Sequence, residues 1–420
     1  MQRNLQLARH LAGTGCRPVV ETGPGPVDYR WTPEDPVLGA GLPDAEVVRL
    51  TGPEPTPGPW ETRLERWLRT PTRWRRWWRA GVLHAAEAAG PVDVVHASVA
   101  PYATATAAAD VARRLGTPLV LDFEDPWALD EMLVYPSVAH RRLELLRMRR
   151  ALRPADAVVM NTPEARGRVV AAFPELDPDR VHAVTNAFDP RDFSGPQPVR
   201  RDGRFRIVHT GSLHTELGLR HRAERRRRRL LGGAVPGVDF LTRSHVYLLE
   251  ALEEVVRDDP ALASTIEVVL AGVFTEEDRA VAAHHPFVEL RDFVPHAETI
   301  ELIRSADLLF LPMHDLPDGQ RAGIVPHKTY EYLASGRPIL AAVPDGDARD
   351  LLTAAGTPRL CRPADARSMA EIIRSEVRRM RAGEVPLPPD PAVVRRCSSD
   401  RLVRELSALY KGLAAPASAR

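Results

Sequence analysis

The stretch GIVPHKTYEYLASGRP at residues 323–338 decides the fold. Pro326 stands near a first helical position, and Gly336, followed by Pro338, stands just past a last one. The sequence therefore predicts a short helix with a marked start and stop. An apolar run at 306–312 (ADLLFLP) precedes it and another at 338–343 (PILAAV) follows. Strand, helix, strand is the repeating unit of a parallel α/β sheet.

The same pattern extends outward in both directions. Strand candidates in the first half are 17–21, 46–50, 92–97, 118–123, 157–161 and 181–185. In the second half they are 205–210, 266–271, 288–291, 306–312, 338–343 and 359–361. Most are nearly continuous apolar runs, as strands covered on both faces require. A Pro/Gly/Arg-rich stretch at 194–203 separates the two series. The expected architecture is α/β: two Rossmann-like, doubly wound domains facing across a cleft. A first domain spans 1–195, a second domain 196–395, and a last helix falls within 396–420. Ligands of such sheets sit outside the carboxyl ends of the strands, so chemistry is sought in the loops that follow strands.

Composition narrows the function. The 420 residues carry 57 basic and 56 acidic side chains, a net charge of +1, which does not describe a nucleic-acid-binding polycation. The 44% hydrophobic and 27% charged fractions exclude wholesale disorder. Three cysteines, Cys16, Cys361 and Cys397, are too few and too scattered for a disulfide scaffold or a zinc site, and fit a reducing cytosol. No metal or cofactor is expected. No apolar run approaches the ~20 residues of a membrane span. A cytoplasmic protein is predicted, with a peripheral place at the inner face of a membrane left open.

At the helix start, backbone amides of Gly323, Ile324 and Val325 and the positive helix end form a candidate phosphate site. Lys328 adds a point charge, and Glu331, one turn on, is placed to accept hydrogen bonds from sugar hydroxyls. The alternative is a solvated Lys328 and a Glu331 paired with an arginine. Lys328 and Lys411 are the chain's two lysines against 55 arginines, which favours a specific role for Lys328.

The segment VPHKTYEYLASGRPILA resembles the nucleotide-sugar motif of GT-B glycosyltransferases of the family 4 type. VDVVHASVAP (92–101), LVLDFEDPW (119–127), AVVMNTPEARGRVVAAFP with VTNAFDP, and FRIVHTGSL (205–213) agree in order and spacing. The resemblance implies a retaining hexosyltransferase that takes a sugar from a nucleoside diphosphate donor and gives it to a glycan, lipid-linked or small-molecule acceptor. A role in cell-envelope polysaccharide synthesis goes with it, as do an acceptor side in domain 1–195, nucleotide-sugar binding in domain 196–395, and a return of the 396–420 helix to the first domain. It further implies that Glu331 holds the ribose, that Lys328 lies near the diphosphate, and that amides at Gly211 and Ser212 complete the donor site with those of 323–325. Rivals are a sugar-nucleotide epimerase of the same fold and a non-catalytic nucleotide-sugar-binding partner.

The chain departs from the family pattern in three places. Eight residues before Glu331 stands Gly323 where a glutamate is common. Where many relatives have a histidine, this chain has Asp122, Glu124 and Asp125; Asp125 is the candidate to orient an acceptor hydroxyl, or else caps the turn before Pro126. The chain also opens on a helix-like QRNLQLARHLAGTG, without the strand and glycine-rich loop that the pattern puts first. This predicts a missing strand and loop of roughly 15–20 positions before Met1.

Two basic regions stand out. The loop after Leu213 holds Arg220, Arg222, the run 225–229 and Arg243, one of which is expected to reach the diphosphate, the alternative for the run being a solvated insertion. The segment from Trp60 to Ala80 holds five of the seven tryptophans, with seven arginines against two glutamates. It suits an anionic membrane surface through Trp74 and Trp78, or else packs those rings in the core. His96, His209 and His214 are placed at strand ends near the cleft.

Overall fold

The computed structural model describes residues 2–23, 45–50, 52, 54–68 and 70–415. Met1 and Arg69, which figured in the sequence reading, lie outside the described residues.

Each expected strand is present. The second half forms one parallel sheet of β7 (Phe205–Thr210), β8 (Ile266–Ala271), β9 (Val288–Arg291), β10 (Leu308–Pro312), β11 (Ile339–Ala342) and β12 (Leu360–Cys361). Its order is β12-β11-β10-β7-β8-β9. The chain winds one way from β7 to β9, returns to β7's other edge at β10, and winds outward again. The switch between β7 and β10 opens a crevice at their carboxyl ends. Burial explains the apolar runs. Val208, Leu309 and Ile339 face one core, while their neighbours Ile207, Leu308 and Leu340 face the other.

The first half holds a four-stranded parallel sheet of β3 (Val95–Ser98), β4 (Leu119–Phe123), β5 (Ala157–Met160) and β6 (Val181–Ala183), in that order. Leu119, Leu121 and Phe123 pack on one side. Val120 turns to the other, where Leu402, Val403 and Leu406 of the helix Ser399–Ala414 cover it together with Leu7. A separate parallel pair, β1 (Val19–Thr22) with β2 (Glu46–Arg49), is not hydrogen-bonded to β3 among the described residues.

The stretch expected to be loose is tied down. Arg304 donates to the carbonyls of Ser194, Gly195 and Pro196, and Arg200 pairs with Asp307 at 2.8 Å. These bonds lay the connection along the edge of the second domain.

Candidate active site

The switch point brings the functional side chains together. His209, on β7, is buried, and its Nδ1 lies 3.0 Å from the Phe310 carbonyl on β10. Its Nε2 lies 3.2 Å from Nζ of Lys328, the first residue of the helix Lys328–Ser335. Tyr332 of that helix accepts the Thr210 amide at 3.0 Å, which pins the helix to the end of β7. Gly211 follows at φ 103°, and a Cβ there would lie 2.9 Å from Nζ. Only glycine allows both that backbone and that approach. Burial pushes the Lys328 ammonium down to about 7, Arg243 adding to the effect and Glu331 opposing it. Burial, Arg243 and Lys328 likewise lower His214 to about 3, so it is neutral near pH 7.

Two of the expected amide donors are already used. Gly211 N–H donates to the Ala271 carbonyl at 2.7 Å, extending the β7–β8 ladder. Gly323 N–H donates to Glu131 Oε1 at 3.0 Å. Neither is available to a phosphate in this conformation, which corrects the expectation. The amides of Ser212, Ile324 and Val325 take part in no hydrogen bond among the described residues. Glu331 is buried, with its carboxylate 3.6 Å from His327 Nδ1.

An acidic wall from the first half faces these cations. The β4 strand ends in Phe123, and Trp127 sits at φ 46°, a left-handed conformation that costs a bulky residue ~1–3 kcal/mol. Its ring stacks on Tyr102 at 4.9 Å, and its Nε1 donates to Glu144 at 3.0 Å, holding the strained turn. That turn leaves Asp125 exposed and Asp130 buried. Desolvation by the cleft walls, then Glu124, raises the Asp125 pKa, while Arg243 opposes. Burial, with Asp125 next, raises Asp130 to about 7. Arg243 donates to Met132 Sδ at 3.1 Å, in the same wall. It is thus the arginine that electrostatically couples Lys328 to the acids.

Glu131 closes the cleft. Besides Gly323 N–H it meets His314 Nε2 at 3.2 Å and pairs with Arg168, which donates to the Arg321 carbonyl as well. Thr162 Oγ1 donates to the Gly323 carbonyl at 2.7 Å. Gly323 is therefore gripped by the first half on both sides of its peptide. Burial alone would raise Glu131, but the hydrogen bond and charge of His314, and then Arg168, hold it down at about 2.

The comparisons with known proteins agree with this geometry. Residues 2–187 match the family described as glycosyl transferase 4-like domain, and residues 240–377 match glycosyl transferases group 1. The chain is a GT-B glycosyltransferase of the family 4-like group. Among solved structures, the Anabaena protein HepE in complex with UDP and glucose is similar, at 14% identity and a TM-score of 0.62. The match covers 98% of this chain and 96% of that one. A glycosyltransferase from Rickettsia africae is similar at 12% identity and a TM-score of 0.61, over 98% and 94% of the two chains. A UDP-forming α,α-trehalose-phosphate synthase from Burkholderia xenovorans matches at 16% identity and a TM-score of 0.54, over 85% and 82%. No curated protein matches the chain in sequence.

Other expected participants of the glycosyltransferase site lie elsewhere. His96 faces Tyr410 Oη at 2.9 Å, under the first sheet. The basic run forms the helix Arg225–Leu231, where Arg225 and Arg226 are exposed, and Arg222 is taken by Asp239 at 2.6 Å. Trp74 and Trp78 stack on each other at 5.7 Å, and Trp78 packs against the Leu50–Val82 core. Of the two alternatives, Trp78 follows the core packing, with Trp74 stacked on it. Asp130, Glu131, Arg168 and His314 were not singled out from sequence. The acidic cluster around Asp125 was the available signal for the first two; nothing local marks the others. Among the described residues no group of three or more His, Cys, Asp or Glu is placed to hold a metal ion, and no helix is long and apolar enough to cross a membrane.

Proposed function

We propose that this glycosyltransferase moves a hexosyl group, with retention, from a nucleoside diphosphate sugar to an acceptor hydroxyl on a glycan or lipid-linked molecule. The acceptor-side domain spans 1–195, the donor domain 196–395, and the segment 396–420 returns to the first. It acts in the cytoplasm, in assembly of cell-envelope polysaccharide. The observation that carries this reading is the buried Lys328 ammonium at the switch point, 3.2 Å from His209 and close against Gly211, with Arg243 lowering its pKa and facing Asp125 and Asp130. UDP is the first nucleotide to test, because HepE was solved with UDP-glucose and the trehalose-phosphate synthase is UDP-forming.

As the bond from the anomeric carbon to the diphosphate oxygen breaks, negative charge grows on the leaving group. Lys328 and Arg243 stabilise it most in the transition state, where catalysis gains. Amides of Ser212, Ile324 and Val325 donate to the phosphates, and Glu331 accepts from the ribose hydroxyls. Asp125 orients the acceptor hydroxyl, whose oxygen bonds the anomeric carbon while its proton passes to the departing diphosphate.

A thermal-shift screen against UDP-, GDP- and dTDP-sugars identifies the donor. Glu331→Ala and Arg243→Ala should each weaken binding of that donor by about 1.5–3 kcal/mol, the worth of a charge-assisted hydrogen bond. Unchanged affinity in both folded variants removes the reading.

A further inference from the structure

The helix Pro59–Leu68 carries Trp60, Leu64, Trp67 and Leu68. At about 100° per residue these fall within an arc of about 100° on one face. All four are exposed, Trp60 at 74% and Leu68 at 67%, and the helix buries no residue. Its flank beside Leu68 is fastened down. Glu61 pairs with Arg73 at 2.7 Å and accepts the amides of Gly58 and Arg73, and Glu65 pairs with Arg75 at 2.5 Å. The carboxylates thus staple the helix to its successor, Arg73–Ala89, and turn the tryptophans outward.

The apolar ridge continues across the molecule. The Trp67 ring meets His140 edge-on at 5.6 Å, on the helix Val138–Leu152, where Val138 and Leu146 are exposed. Tyr135 N–H donates to the Gly233 carbonyl at 2.8 Å, and a Cβ on Gly232 would touch Val138 at 3.4 Å. That brings Leu230, 89% exposed, and Leu231 to the same rim. Tyr135 lies four residues after Glu131, so the rim borders the cleft.

Charge identifies the occupant. The chain as a whole is +1, yet Arg63, Arg66, Arg142, Arg225 and Arg226 stand exposed around the ridge, while Glu61 and Glu65 are spent in ion pairs. A ridge of tryptophan and leucine flanked by arginine has the composition of an interfacial helix on anionic lipid. We propose that this ridge docks the protein on an anionic bilayer surface, with the cleft mouth at the headgroups. The docking stands apart from the sugar-transfer reading; its consequence, an acceptor carried on a lipid, rests on that reading.

The test is co-sedimentation of the full chain with vesicles of phosphatidylcholine alone or mixed with phosphatidylglycerol. The protein should sediment with the mixed vesicles only and be released as salt rises. The double variant Trp60→Ala/Trp67→Ala should lower the bound fraction by roughly tenfold or more, with melting temperature and UDP-sugar affinity unchanged. No binding at low salt, or equal binding by the double variant, overturns the proposal. A dimer in analytical ultracentrifugation that the double variant abolishes assigns the ridge to a second copy and overturns it too. Loss of donor binding in the wild-type chain would defeat the transfer reading and leave the docking intact.

Discussion

Lys328 and His209 share a hydrogen bond of 3.2 Å at the crossing of the donor helix and β7. The Phe310 carbonyl, 3.0 Å from His209 Nδ1, accepts a hydrogen bond from Nδ1–H and leaves Nε2 as the acceptor for the ammonium. Burial holds His209 well below its ordinary value, so the ring stays neutral and the lysine carries the titration.

With Lys328 at about 7, affinity for a UDP-sugar should fall as pH rises through neutrality, because the unliganded ammonium is lost there. Above that point binding should take up a proton, measurable by calorimetry in buffers of different ionisation enthalpy. Lys328→Arg should flatten the profile. A wild-type affinity that is constant from pH 6 to 9, with no proton uptake, would show that Lys328 does not face the diphosphate.

The cross-cleft contact makes a second prediction. Glu131→Ala leaves Arg168, His314 and the Gly323 amide without their carboxylate, a loss expected to cost about 3–5 kcal/mol for a buried pair broken on one side. Glu131→Gln keeps an acceptor for the amide and should cost less. Because Glu131 sits at about 2 against its ordinary 4.5, the unfolded chain binds the extra proton between those values. Its contribution is full above about 4.5 and is lost as pH falls through about 2. Calorimetric scans across that range check the sign; equal stability of wild type and Glu131→Ala would mean that the grip on Gly323 is not maintained in solution.

How much of this was legible in the sequence follows from the range of each interaction. The strands were legible because doubly covered β-strands write continuous apolar runs, and the donor helix because Pro326, Gly336 and Pro338 mark its ends locally. Lys328 stood out by its rarity and Asp125 by its position after β4. The use of the Gly323 amide was not legible, because its acceptor lies 192 residues away. For the tryptophans, helical spacing put Trp74 and Trp78 on one face but could not say which face. That depended on Glu61 and Glu65 reaching the next helix and on Trp78 meeting Leu50.

The two pairs of tryptophans should therefore behave oppositely. Trp78→Ala removes a ring that packs on Leu50 and Val82 and stacks on Trp74, and should destabilise the first domain by about 3–5 kcal/mol at full burial, less for a half-buried ring. Trp60→Ala should leave the melting temperature where it is, since that side chain is largely in solvent. Similar melting temperatures for both variants would contradict the packing described.

Asp125 and Asp130 form the acidic half of the cleft. Burial raises Asp130 to about 7, and the neighbouring Asp125 charge is the next contribution. Removing that charge in Asp125→Asn should lower the Asp130 midpoint, readable by carboxyl-carbon NMR. If Asp125 orients the acceptor hydroxyl, the same substitution should lower kcat with little change in donor affinity. Asp130→Asn should act mainly on stability. Between about 3.8 and about 7 the folded chain holds a proton that the unfolded chain has lost, so the wild type should lose stability as pH rises through that window. Asp130→Asn should not share that decline. Parallel stability profiles for the two proteins would show that Asp130 is solvated, and a kcat unchanged in Asp125→Asn would take the acceptor away from this wall.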